Sequence, residues 1–136
     1  MVGIVVAAHG RLAEELVRTA EGVVGPLEQT TTFSIQQAGC AEDGPGELRR
    51  RIASVDQGDG VVMLTDLLGG SPTNLCLGVL KEREVEVVTG VNLPMLLKLG
   101  SLRSANVPPI DLARQLCAAG QKAIVEATDL VRGRKP

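Results

Sequence analysis

The stretch Ile4-Val5-Val6-Ala7-Ala8-His9-Gly10 decides the fold of this chain. Its first five residues are apolar and rich in valine, which is typical of a parallel β-strand that is buried on both faces. The strand is predicted to end at His9-Gly10. From Leu12 onward the apolar residues recur at the spacing of an amphipathic helix. A buried strand followed at once by a helix indicates the first unit of an α/β protein.

The same alternation recurs along the rest of the chain. Three further segments have the composition of strands, namely Thr31–Ile35, Gly60–Thr65 and Val85–Val91. Helical patterns follow each strand and are predicted from Leu12 to Gly25-Pro26, around Leu48–Val55 after a polar loop from Gln36 to Pro45, from Ser71, from Asn92 and over Ile110–Ala119. Residues 121–127 fit either a helix extension or a small edge strand.

This order of elements predicts the α/β class, with an open parallel sheet of four strands in the order 2-1-3-4 and helices on both faces. Parallel neighbours need crossover connections, and these are nearly always right-handed. The chain has 136 residues, of which 44% are hydrophobic, and this is the size of one domain with a full core. We therefore expect a single domain over residues 1–130 and a flexible tail over residues 131–136.

Composition excludes several classes of function. The net charge is −2, and Phe33 is the only aromatic residue, so a nucleic-acid-binding surface is not expected. No apolar run approaches the length of a membrane span and no export signal is recognised, so a cytoplasmic protein is expected. The three cysteines lack ligand spacing and are interpreted as free thiols. A zinc site that combines them with His9 is the alternative, but no metal is expected.

Two residues at strand ends are the candidates for chemistry. Ligands of open α/β sheets bind beyond the carboxyl ends of the strands, where the strand order reverses. His9 follows strand one and Asp66 follows strand three, so the order 2-1-3-4 brings them face to face. The carboxylate can then fix the imidazole tautomer and leave the other ring nitrogen as a nucleophile or base. Each residue also has a purely structural interpretation, His9 as a polar rim residue and Asp66 as a turn cap.

The surroundings of the pair favour a phosphoryl group. Helices are predicted to begin just after His9 and at Ser71, and helix N-termini attract anions. Glycine at 10, 69 and 70 allows an anion to approach the backbone, although Gly69-Gly70-Ser71-Pro72 is also an ordinary turn and cap. Neither a nucleoside triphosphate motif nor a dinucleotide motif is present. The pattern favours a histidine that accepts phosphate from an activated donor, with no cofactor.

Three segments in this order resemble one known family. They are Ile4–Gly10, Leu64–Asn74 with its D-x-x-G-G-S-P motif, and Thr89–Leu96 with G-V-N-L-P-M. This combination resembles the mannose-family IIA component of the bacterial phosphoenolpyruvate-dependent sugar phosphotransferase system. The resemblance covers nearly the whole chain and implies a cytoplasmic phosphotransferase that works through a phosphohistidine.

The resemblance also implies roles for individual residues. His9 would accept phosphate from HPr and pass it to a histidine of the IIB component, with Asp66 as its orienting partner. Gly10, Gly69, Gly70 and Ser71 would hold the phosphoryl oxygens. Asn92 would support the rim of the site.

Partners and assembly follow from the same resemblance. The IIB component is expected to be a separate protein, and at most a peripheral association with a membrane permease is expected. A homodimer is expected as well, with the C-terminal segment, as a fifth short strand, exchanged between subunits.

Two alternatives stay open at this point. A small tetrapyrrole metal chelatase also carries a histidine and glycine after its first strand, but the G-G-S-P and V-N-L-P-M segments have no explanation there. A regulatory phosphoprotein could keep the IIA fold and His9 without serving a sugar permease. Well-known members of the family have a large aromatic residue after His-Gly, whereas this chain has Arg11 there. The difference affects the surface on which partner proteins would dock.

Overall fold

The computed structural model describes residues 1–35, 44–67 and 84–135. Its sheet consists of four strands, β1 (Gly3–His9), β2 (Thr30–Ile35), β3 (Val61–Thr65) and β4 (Val85–Thr89). All neighbouring strands are parallel, and their order is β2-β1-β3-β4. The predicted α/β class and strand order are therefore confirmed.

Six helices lie in the described part of the chain. They are α1 (Leu12–Val24), α2 (Gly44–Val55), α3 (Leu93–Leu97), α4 (Leu99–Arg103), α5 (Pro109–Lys122) and α6 (Ala127–Arg132). The helix predicted to begin at Ser71 falls in residues 68–83, outside the described residues. None of the described helices is long and apolar enough to cross a membrane.

The core has two layers because β1 is buried on both faces. Every residue of Ile4–Ala8 has no exposed surface. Ile4, Val6 and Ala8 pack in one cluster with residues of α1, α3, α4 and α5, whereas Val5 and Ala7 pack in a second cluster with residues of α2. The alternation of side chains along a strand divides the apolar run between the two layers. Both faces of β1 are thereby covered by helices, and its last residue, His9, lies at the carboxyl edge of the sheet.

Two predicted boundaries differ from the structure. Strand β4 ends at Thr89 rather than Val91, because Gly90 has a φ of 86° and turns the chain away from the sheet. The predicted loop from Gln36 to Pro45 was too long, since α2 already begins at Gly44. Proline is well tolerated in a first helical turn, where its missing N–H has no helical acceptor to lose. Residues 36–43 of that loop lie outside the described residues.

The C-terminal segment also differs from expectation. Helix α5 continues to Lys122, so the predicted end at Ala119 was too early. Of the two structures predicted for residues 121–127, the helix extension is present over residues 121–122, and no strand forms there in this single chain. Instead the Glu126 side chain accepts a hydrogen bond from the Thr128 amide and caps α6, which the sequence analysis did not predict. The flexible tail over 131–136 stays a prediction, and its first two residues belong to this helix.

Candidate active site

The pairing of β1 with β3 brings His9 and Asp66 together. Ala7 of β1 lies opposite Thr65 of β3 in the parallel register. His9 is two residues beyond Ala7, and Asp66 is the first residue after Thr65, so both emerge at the carboxyl edge of the sheet. The juxtaposition predicted from the strand order is present in the structure.

One carboxylate oxygen of Asp66 binds His9 twice. Its Oδ2 lies 2.8 Å from His9 Nδ1 and accepts the backbone N–H of His9 at 3.1 Å. The other oxygen, Oδ1, accepts the backbone N–H of Leu67 at 3.0 Å. Both carboxylate oxygens are thus held, and the imidazole has one fixed partner on its Nδ1 side.

The electrostatics of the pair fix the role of each group. Partial burial by itself raises the pKa of Asp66, but the hydrogen bonds that the His9 ring and backbone donate to its carboxylate outweigh that effect and lower the pKa from the ordinary value of 3.8. Asp66 is therefore a carboxylate at neutral pH and only accepts hydrogen bonds. Nδ1 of His9 must then carry the proton, and Nε2 keeps its lone pair. The His9 side chain is 38% exposed, which leaves the ring accessible to a partner.

Gly10 and the start of α1 form the neighbouring part of the rim. Gly10 has a φ of 58°, a conformation that residues with a Cβ rarely adopt, and the turn it makes leads directly into α1. Arg11 is the N-cap residue of α1, and its side chain makes no capping hydrogen bond. The first amides of a helix have no acceptor within the helix and carry partial positive charge. This end of α1 favours an anion beside His9.

The other predicted site residues are Gly69, Gly70, Ser71 and Asn92. Gly69, Gly70 and Ser71 lie outside the described residues, so their roles stay predictions. Asn92 caps α3 by accepting the Met95 amide at 3.2 Å, and its amide nitrogen donates to the Gly120 carbonyl at 3.2 Å. These contacts tie α3 to the end of α5, so any support that Asn92 gives to the rim is indirect.

Sequence reasoning missed two contributors to the site. The backbone N–H groups of His9 and Leu67 both hold the Asp66 carboxylate. The bond from His9 depends on the register of β1 against β3, for which the sequence gives no signal, whereas the bond from the adjacent Leu67 is local and agrees with the interpretation of Asp66 as a turn cap. Among the described residues, no group of three or more His, Cys, Asp and Glu side chains is arranged to hold a metal ion. The described cysteine, Cys117, is half-buried, and Cys40 and Cys76 lie outside the described residues.

The fold and the site together define a class of protein. It is an open α/β domain with a histidine and carboxylate pair at the carboxyl edge of its parallel sheet. Residues 3–109 match the family model EIIA-man, which is described as the PTS system fructose IIA component. Among curated proteins, the chain is 35% identical over 98 residues to the mannose-specific EIIAB component of the phosphotransferase system of Escherichia coli K12. The match covers 71% of this chain and 30% of that relative.

Solved structures of phosphotransferase proteins share the fold. The EIIA component from Streptococcus agalactiae has a TM-score of 0.83 at 24% identity and covers 94% of this chain and 98% of its own. A IIA protein associated with the fucose utilization operon of Streptococcus pneumoniae has a TM-score of 0.80 at 28% identity, covering 96% and 99%. The chain belongs to the mannose family of phosphotransferase-system IIA components. This membership favours the phosphotransferase interpretation over the tetrapyrrole chelatase.

Proposed function

We propose that this chain is a phosphoryl carrier that accepts phosphate from phospho-HPr on Nε2 of His9 and passes it to a histidine of a IIB component. The observation that carries the proposal is the 2.8 Å contact between His9 Nδ1 and Asp66 Oδ2. That contact assigns the proton to Nδ1 and leaves the lone pair on Nε2. The reaction takes place in the bacterial cytoplasm, at most in peripheral contact with a membrane permease.

The transfer step balances without a metal or cofactor. The Nε2 lone pair of His9 attacks phosphorus, the P–N bond to the donor histidine breaks, and that electron pair returns to the donor nitrogen. His9 keeps its Nδ1 proton, so the phosphorylated ring carries a positive charge that faces the Asp66 carboxylate. Transfer onward reverses the step, since the P–Nε2 bond breaks as the IIB histidine attacks. A fixed carboxylate stabilises the charged ring in both directions.

The phosphoryl oxygens need donors on the same rim. Gly10 and the N-terminal amides of α1 supply backbone N–H groups and a favourable dipole. Gly69, Gly70 and Ser71 complete the set in our proposal. Their position three to five residues after Asp66 in the sequence supports this assignment.

Intact mass spectrometry tests the proposal directly. Phosphoenolpyruvate, enzyme I and HPr should add one acid-labile phosphate to the wild type and none to His9→Ala. The chain has one histidine, so a single label identifies the site. Phosphorus NMR should assign the phosphate to Nε2. Labelling of His9→Ala, or an unlabelled wild type, would refute the proposal, and a label on Nδ1 would refute the role given to Asp66.

We propose further that the protein works as a homodimer joined through its C-terminal segment. Helix α6 has no buried residue, and its Leu130 and Val131 are 68% and 87% exposed. Ile124 and Val125 before it are 77% and 58% exposed. Apolar side chains in such a run are normally covered by a partner. Exchange of this segment between two copies would cover them.

A second feature supports the same assembly. Among the described residues, β4 is an edge strand of the sheet, with β3 as its neighbour. A cavity of about 340 Å³ lies beside it, between β4 and α5, and its lining includes Val87, Ile110 and Cys117. An open strand edge with an apolar wall is a site that another segment can cover. The C-terminal segment of a second copy is the occupant we propose.

A further inference from the structure

A cavity of about 250 Å³ lies at the amino edge of the sheet, opposite the edge that carries His9. Its lining includes three apolar residues, Met1, Pro26 and Leu27, which we call the apolar wall, and the side chain of Arg103. Strand β1 is seven residues long, so the two edges are about 20 Å apart. The cavity is therefore separate from the proposed phosphoryl site.

Arg103, the last residue of α4, is a buried charged side chain at this cavity. Only 7% of its surface is exposed. Its Nη1 donates to the Val2 carbonyl at 3.1 Å, and its Nη2 lies 3.4 Å from the Thr30 hydroxyl oxygen. That hydroxyl donates its own proton to the Glu28 carbonyl at 2.9 Å, so its oxygen can accept from the guanidinium. Both partners of Arg103 are neutral, and they leave its positive charge uncompensated.

The guanidinium also keeps hydrogen-bond donors that have no acceptor. An arginine side chain has five N–H groups, and the contacts with Val2 and Thr30 use two of them. Within residues 1–35, 44–67 and 84–135, Nε of Arg103 is buried without a hydrogen bond, and no carboxylate pairs with the side chain. A buried cation without a counter-ion is unfavourable. This arrangement favours an anionic ligand beside Arg103.

Glu28 is the acid whose charge acts on Arg103. Burial lowers the pKa of Arg103 from 12.5, and the charge of Glu28 opposes that shift. The guanidinium stays protonated, because arginine does not lose its proton in proteins. Glu28 also lines the cavity and is exposed, so water screens its carboxylate. The N-terminal ammonium of Met1 already has a counter-ion in Asp59.

We propose that this cavity binds a small aliphatic monocarboxylate, whose carboxylate pairs with the Arg103 guanidinium and whose short carbon chain lies against the apolar wall. The site is distinct from the phosphoryl site at His9, and the inference does not depend on phosphoryl transfer.

Three observations select this class of ligand. The planar guanidinium of Arg103 matches the two oxygens of a carboxylate. The volume is below the 300 Å³ or so at which drug-sized ligands begin to fit, so there is room for a few carbon atoms. The nearby charge of Glu28 repels a dianion more strongly than a monoanion, which disfavours phosphate.

Butyrate is the probe, and nitrogen-15 NMR of the full chain measures its binding. Butyrate should shift the Arg103 Nε–H resonance and the amides of Leu27 and Ser104 in a saturable way, with a Kd on the order of 1 mM. Butyramide has nearly the same shape without the charge and should bind at least about tenfold more weakly. Inorganic phosphate should also bind more weakly than butyrate.

Several results of this titration would overturn the proposal. They are an absence of saturable shifts, equal shifts from butyramide, and equal shifts from sodium chloride at the same ionic strength. Phosphate that binds as tightly as butyrate would overturn the assignment to a monocarboxylate.

Glu28→Gln tests the charge pairing without changing a buried group. Removal of this competing negative charge should lower the Kd for butyrate about threefold. Glu14→Gln is the matched control, since Glu14 is an exposed acid in the first turn of α1, which begins at the carboxyl edge of the sheet. Its Kd should equal that of the wild type. Equal Kd values for the two variants would overturn the pairing of the ligand with Arg103.

Arg103→Met removes the guanidinium and should abolish saturable binding. Circular dichroism checks its fold, because the contact with Val2 is lost as well. Gly100→Leu is the second variant, since Gly100 lines the cavity and an added Cβ meets nothing within 4 Å. The larger side chain should weaken butyrate about tenfold. Butyrate binding that is unchanged in a folded Arg103→Met protein, or in Gly100→Leu if Arg103→Met does not fold, would overturn the site.

Discussion

Asp66 Oδ2 accepts two hydrogen bonds from His9, one from the ring Nδ1 at 2.8 Å and one from the backbone N–H at 3.1 Å. The second bond does not depend on the ring, so the carboxylate stays in place when the imidazole changes its charge. Leu67 holds the other oxygen of the same carboxylate. The acid is therefore preorganised for the proposed transfer, and preorganised charges contribute most to a transfer reaction.

Replacement of Asp66 by asparagine should slow phosphoryl transfer without unfolding the domain. The amide keeps the shape of the side chain but lacks the charge that would stabilise the phosphorylated ring. Its NH₂ group is a hydrogen-bond donor, so it cannot accept the N–H groups of His9 that the carboxylate accepts. Losses from tens-fold to about 10⁴-fold in rate are known for other histidine and acid pairs. Quenched-flow kinetics with phospho-HPr as the donor measures the rate of transfer.

Asp111→Asn is a suitable control for that experiment. Asp111 is an exposed acid in the first turn of α5, away from the site, and the same charge is removed. Its transfer rate should equal that of the wild type. An Asp66→Asn rate within about twofold of Asp111→Asn would show that Asp66 acts only as a turn residue.

The acid stability of the protein should depend on Asp66. Its pKa is lowered in the folded state from the ordinary value of 3.8, so the folded protein binds this proton less tightly than the unfolded chain. The resulting stabilisation is fully present above about pH 3.8 and is lost as the pH falls through the lower folded-state pKa. Urea unfolding at about pH 5 and about pH 2.5 should show a larger loss of unfolding free energy for the wild type than for Asp66→Asn. Equal losses would contradict this linkage.

Two glycine substitutions should change stability in opposite directions. A Cβ added at Gly3 in β1 would lie 2.8 Å from the Val55 carbonyl carbon and closer still to its oxygen, so α2 would have to move away from the sheet. Gly3→Ala should therefore lower the unfolding free energy by about 1–3 kcal/mol.

Gly22→Ala is the matched control for this packing prediction. Gly22 lies within α1, and an added Cβ meets nothing within 4 Å. Alanine has the higher helix propensity, so this variant should be more stable by up to about 1 kcal/mol. Denaturant unfolding of both variants gives the two values. A Gly3→Ala protein as stable as Gly22→Ala would mean that the contact between β1 and α2 is looser than the structure shows.

Much of the architecture could be predicted because local signals agreed with the tertiary structure. The run Ile4–Ala8 reads as a strand buried on both faces, and both core layers pack against it. Asn92 before Leu93-Pro94 reads as a helix start, and its side chain caps α3. The position of His9 and Asp66 followed from the general rule for ligand sites in parallel sheets.

Other features could not be predicted because they depend on geometry rather than on composition. The hydrogen bond from the His9 amide to Asp66 requires the register of β1 against β3, which no short motif encodes. Helix α6 was missed because none of its residues is buried, so it lacks the apolar periodicity that indicates a helix. Its signals are the cap at Glu126 and the left-handed Gly133 at its end, with a φ of 67°.

Removal of residues 124–136 should convert the proposed dimer into a less stable monomer. The deletion leaves α5 intact to Lys122 and removes the exposed apolar side chains of Ile124, Val125, Leu130 and Val131. Burial of such side chains against a second copy is the main source of free energy for this association, and their loss also leaves the edge of β4 uncovered. Light scattering at micromolar concentration should report a dimer for the intact chain and for the control Val23→Ser/Val24→Ser, whose apolar residues lie at the end of α1. A monomeric intact chain, or a dimer that survives the deletion, would refute the assembly.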